Sequence, residues 1–398
     1  MINKKRRFIF VALFILLCTV FAWQNPPKII ALGEETQTEE AEDKLQHSVE
    51  DLLENLDLKA LEEYFQSLNG KNGQTLKQTL FKYMNGEEIS YQNFFQSIQN
   101  VFFKYILEWM PAFSCIIAIS LLSCLVSSIK GGMLGNTTAE TVFYVSYLGS
   151  LVPMLFVLIE CFSSTIQSVK ELQKQMQIIF PILLTLMSAV GGITSAQICK
   201  PAVAFLSNTI LSVITSVFLP ISIAIVTFSI AGNLSKELKI NRFTAFFKSL
   251  NKWIIGICIT VFGLFFTLQG ITSASYDGVL KRTVKYAIGN GIPIIGGFLS
   301  GGFDLALAGT LLIKNSIGYL SIFMLIQALF KPILFLCSVN ILLKLTSAIT
   351  QPIGDERISN FLDETAGNLQ YCTAGILFTA FLYLITILLM VLSTEMLI

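Results

Sequence analysis

The sequence predicts an all-α, polytopic helical membrane protein of about seven membrane segments, some of them Pro-broken or re-entrant. A signal peptide and a small helical extracytoplasmic region precede the spans. Three observations predict this. Only 13% of the 398 residues are charged, against about 25% in soluble domains. Mean hydropathy is +0.68, and beyond residue 105 the apolar residues gather into runs of helix length. Charge is also unevenly placed: 15 of the 26 acidic residues lie between Glu34 and Glu108, against six lysines. The rest of the chain is therefore net basic, which is a topology signal rather than the mark of a nucleic-acid binder.

The N-terminus opens on Lys4-Lys5-Arg6-Arg7 and an apolar run over 8–23, the pattern of a secretory signal. That run is short for a span, and small residues at Ala31-Leu32-Gly33 favour cleavage, so 1–33 is expected to be a signal peptide. Residues 34–108 then form an acidic extracytoplasmic region. Leu52, Leu53, Leu56, Leu61, Tyr64, Phe65 and Leu68 recur at three- and four-residue steps, giving one apolar helical stripe. Asn69-Gly70 and Asn72-Gly73 break it. A second stripe, from Phe94 through Phe102 and Tyr105 to Trp109, leads into the membrane. This region reads as a cap on the membrane body or as a docking surface for an extracytoplasmic partner.

The membrane domain covers 109–398. Its apolar runs are 112–129, 141–162, 178–199, 201–231, 253–275, a glycine-rich run from 287, 316–349 and 371–393. As one helix, 201–231 would rise about 46 Å, too long for one span and too short for two. A break near Pro220 resolves this, and Pro332 does the same for 316–349. Pro181 and Pro220 are 39 residues apart, as are Pro293 and Pro332, and the order of features around the pairs recurs. This predicts an internal duplication, 141–252 and 253–393, with all four prolines as candidate hinges. Lys236, Lys239, Arg242, Lys248 and Lys252 against Glu237 place 233–252 in the cytoplasm. Lys281, Arg282 and Lys285, one span later, then fall outside, against the same rule.

Catalytic chemistry finds no support. His47 is the sole histidine, and the eight cysteines form no CxxC pair, which argues against metal centres and Ser–His or Cys–His nucleophiles. Walker A, HExxH, GxSxG and dinucleotide motifs are absent. A non-enzymatic protein with no cofactor, no metal and no catalytic residues is expected. The unusual stretch is 276–320. Gly296, Gly297, Gly301 and Gly302 put small residues at helical spacing, which suits either a tight helix seam or a pore lining. Asp304, Lys314 and Asn315 lie in the same apolar surroundings, where ionisable groups are costly and face protein or water. On one helix Asp304 and Lys314 would be about 15 Å apart, too far to pair.

The residues Ser273-Ala274-Ser275-Tyr276-Asp277-Gly278, then Arg282-Thr283-Val284-Lys285, Gly289-Asn290 and Ile292-Pro293, resemble the stage III sporulation protein AE family of endospore-forming Firmicutes. So do 311–318 and Gln351-Pro352-Ile353-Gly354, and the layout matches along nearly the whole chain. Asp277, Gly278, Arg282, Thr283 and Lys285 carry the family motif. The resemblance implies a subunit of the mother cell–forespore transcellular channel or secretion-like complex, as its export-gate or permease-like core. It would sit in the mother-cell membrane around the engulfed forespore, as a homo- or hetero-oligomer. Implied partners are the other proteins of the same sporulation operon, including a cytoplasmic ATPase and ring-forming extracytoplasmic subunits, and a YidC-type insertase for assembly. The residues alone leave a second reading open, a stand-alone secondary transporter with a polar site around Asp304. A scaffold recruiting partners through 34–108 is the third.

Overall fold

Apolar runs become helices here because lipid offers backbone amides no partner, so each span must satisfy its own. The computed structural model describes residues 58–69, 75–84, 92–130, 136–190, most of 196–234, 240–264, 296–352 and 356–392. The chain divides into two compact units, Met1–His47 and Ser48–Ile398. The first unit, and the expected signal peptide with it, lies outside the described residues.

The described part of the second unit is helical throughout: α1 (Lys59–Asn69), α2 (Leu76–Met84), α3 (Gln92–Lys130), α4 (Asn136–Ala189), α5 (Leu219–Leu234), α6 (Asn241–Leu264), α7 (Gly296–Thr350) and α8 (Glu356–Leu392). Among the described residues six stretches are long and apolar enough to cross a membrane, in α3 to α8, with the α5 stretch beginning at Asn208. Hydroxyls in these helices fold back onto their own backbone. Ser150, Thr165, Thr365 and Thr386 each donate to the carbonyl four residues earlier, at 2.7–2.8 Å, which satisfies them without water.

The prolines interrupt less than the run lengths predict. The runs 141–162 and 178–199, expected as separate segments, join up to Ala189 in the 54-residue α4, which passes through Pro153 and Pro181. The 55-residue α7 likewise continues through Pro332 instead of stopping there. A proline removes one hydrogen bond, and packing on both sides of it holds the remaining turns in line. At Pro220 the chain adapts differently. Wide π turns at Phe205–Ile210 and Ile214–Phe218 precede α5, so the helix is re-wound just before the proline rather than ended. Pro293 lies outside the described residues.

Side-chain contacts fix the helix directions. Tyr147 meets Phe361 at 5.2 Å and Phe180 meets Tyr383 at 5.5 Å, so α4 and α8 run parallel. Lys314 reaches Val391, so α7 runs against them. Phe218 lies by Tyr371 and Ser229 by Glu364, which sets α5 antiparallel to α8. Phe228 stacks on Phe247 at 5.4 Å and Asn251 donates to Ser222, which turns α6 back along α5. Lys130, Leu234, Asn241, Thr350 and Glu356 thus share one side. Arg242, Lys248 and Lys252 lie toward this side, the one the positive-inside rule assigns to the cytoplasm. The start of α3 lies on the opposite, here called outer, side.

At 1.5 Å per residue α4 and α7 measure about 81 and 83 Å, roughly twice a bilayer with its headgroups. Their surplus stands on the outer side, where the short helices pack. Leu61, Tyr64 and Phe65 of α1 are buried, and Lys174 of α4 sits 5.5 Å from the Tyr64 ring. Leu76 and Leu80 of α2 are buried where that helix meets α7. Burial, then the Glu171 charge, pushes the Tyr64 hydroxyl up to about 12, with Gln175 beside it acting in the opposite direction. The centre of the bundle is α7 against α8, built on Ile317, Leu320, Val339, Leu343, Phe361, Ile376 and Leu382. In lipid this seam is held by close packing rather than by escape from water.

Candidate functional site

Among the described residues, polar groups gather at two places besides the basic turns of α6. The first is the outward face of α8. Glu356, Asn360, Asp363, Glu364, Gly367 and Gln370 recur at three- and four-residue steps and are all exposed. Glu364 ties this face to α5: its Oε2 accepts from Ser229 Oγ at 2.6 Å and from Asn233 Nδ2 at 2.8 Å. On the α7 side Asn340 donates to the Ala366 carbonyl at 2.7 Å. At Gly367 a side chain would meet nothing within 4 Å, so the backbone lies open.

The depth of this face gives it meaning. Tyr147 of α4 packs on Phe361, and Cys161 and Thr165 lie against Cys372, so the α8 stripe stands level with residues 147–165 of α4. There α4 turns Leu148, Val152, Phe156 and Ile159 outward, 53–68% exposed, as a lipid-facing helix does. A flat bilayer that covers these apolar side chains also reaches the depth of Asp363 and Gln370. Exposed polar groups at that depth face protein or a water-filled space.

The second place is a cleft of about 320 Å³ between α3, α4 and α7. Glu108, Glu160 and Glu171 line it opposite Lys331, with Pro332 in its wall and Tyr105, Trp109 and Phe335 forming an aromatic side. The Tyr105 and Trp109 rings lie 5.4 and 5.9 Å from Phe335. It lies toward the outer end of the α3 span and balances three carboxylates against one ammonium.

The residues singled out from sequence are distributed differently. Asp277, Gly278, Arg282, Thr283, Lys285 and Pro293 lie outside the described residues. Gly296, Gly297, Gly301, Gly302 and Asp304 are on the first turns of α7, and their side-chain surroundings are likewise not described. Lys314 is fully buried, and its Nζ donates to the Val391 carbonyl at 2.7 Å. It therefore ties α7 to the last described turn of α8. Asn315 beside it is half-buried. Among the three described hinge candidates, Pro332 lines the cleft.

No motif singles out the α8 stripe, a polar segment between the apolar runs 316–349 and 371–393. The signal was present in the 3–4 spacing of Asn360, Asp363, Gly367 and Gln370. The cleft had no such signal, since its residues come from three distant helices.

Comparisons with known proteins agree with this architecture. No solved structure matches the chain. It is 21% identical over 380 residues to the stage III sporulation protein AE of Bacillus subtilis (strain 168), covering 94% of this chain and 95% of that protein. The family model for stage III sporulation protein AE matches residues 74–394. A helical membrane bundle matched over that length belongs to the stage III sporulation protein AE family.

Proposed function

We propose that the chain is a membrane subunit, without catalysis of its own, of the channel or secretion-like complex linking mother cell and forespore, and that it forms the export-gate or permease-like core. Its place is the mother-cell membrane around the engulfed forespore. Its partners are the other proteins of the operon, among them a cytoplasmic ATPase and ring-forming extracytoplasmic subunits, and a YidC-type insertase assembles it. One observation carries this reading: a polar face on α8 stands at the depth of the lipid-facing α4 residues, so the isolated chain is incomplete.

The test pairs deletion with a stripe variant. Loss of the gene should stop development after engulfment and leave vegetative growth normal. Asp363→Leu with Gln370→Leu makes the face suitable for lipid; it should leave the protein in the membrane and block development. Normal spores from that variant would remove the α8 face from the function. Solute uptake by the purified chain in vesicles, with no other protein present, would replace this reading with that of a stand-alone transporter.

A further inference from the structure

The cytoplasmic half of α6 carries the opposite charge at the same depth as the α8 stripe. Arg242, Ser249 and Lys252 are exposed and share one face, and Lys248 is half-buried beside them. Two sets of contacts to α5 set the level. Asn251 donates to Ser222 at 2.8 Å and Phe247 stacks on Phe228, while Ser229 bonds Glu364 and Phe218 lies against Tyr371. Ser249 of α6 therefore stands at the height of the Asp363–Gln370 turns of α8, with α5 between them.

We propose that the α8 stripe is covered by α6 of a second copy of this chain, in a head-to-tail contact that repeats around an axis along the membrane normal. Copies in one bilayer with one orientation are related by rotation about that normal, which conserves depth. Complementary surfaces must then lie level with each other and on different parts of the protomer. The acidic stripe and the basic turns meet both conditions. Contact at conserved depth brings Arg242 of one copy near Asn360 and Asp363 of the next and Lys252 near Gln370, and open backbone at Gly367 permits close helix approach. Each stripe removes from lipid the charge the other would leave there. The proposal rests on the reading of the α8 face as an interior surface of a complex, and it adds what lies against it.

Full-length chains with two different tags, expressed together in sporulating cells, test this. One carries Gly367→Cys and the other Ser249→Cys. Mild oxidation should join the two tags at least tenfold more than when both copies carry Gly367→Cys. Preferential joining of Gly367→Cys to itself would mean that the stripes face each other, and would overturn the proposal. So would rapid labelling of Gly367→Cys by a bulky, membrane-impermeant maleimide without crosslinks, the mark of a water-filled lumen. A charge exchange gives an independent reading free of cysteine chemistry. Asp363→Lys should abolish co-purification of differently tagged copies, and adding Arg242→Asp should restore it; loss without rescue overturns the proposed pairing. Crosslinks with normal spores would leave the contact standing and sink the functional reading instead. Blocked development in the leucine variants without Ser249–Gly367 crosslinks would do the reverse.

Discussion

Lys314 Nζ donates to the carbonyl of Val391 across 2.7 Å, with its side chain wholly enclosed between α7 and α8. The ammonium thereby ties α7 to the last described turn of α8.

Lys314→Met should keep the volume and lose the donor. Loss of this charged hydrogen bond should cost about 1.5–3 kcal/mol. A lowered unfolding midpoint in detergent is expected; an unchanged midpoint would show that the packing of α7 on α8 does not need this bond.

One turn further along α7, Gly318 leaves room for Val391. A methyl group there would come within 2.6 Å of Val391 Cγ2. Gly318→Ala should force the helices apart and destabilise by about 1–3 kcal/mol. Combining it with Val391→Ala should recover part of the loss, and strict additivity in that cycle would place the strain elsewhere.

Glu364 joins α8 to the end of α5 through Ser229 and Asn233. Glu364→Ala should free that end, and amide exchange over 229–234 should quicken. Glu364→Gln keeps one acceptor oxygen and should lie between wild type and alanine. Equal protection in all three proteins would mean that α5 is held by Phe218 and Leu219 beneath Gly375 alone.

Pro332 denies Ala328 a backbone donor in the middle of α7, in the wall of the acidic cleft. Pro332→Ala restores that hydrogen bond and should raise the unfolding midpoint, by a fraction of the roughly 3 kcal/mol that an interior proline costs. A fall in the midpoint would show that neighbouring helices pack on the ring itself.

The sequence by itself determined that this is a helical membrane protein and that an acidic N-terminal region precedes the spans. Those properties follow from local quantities: apolar run length, charge balance, and the cost of exposing amides or ammonium groups to lipid. The tertiary structure decided what no run length contains. It joined two apolar runs into α4, carried α7 through Pro332, bonded Lys314 to the carbonyl of Val391, 77 residues away, and set Asp363 and Gln370 level with Leu148 and Phe156. Each depends on which helices lie side by side and at what height. Spacing along one helix sets the face a residue takes; only packing sets whether that face meets lipid, water or another chain.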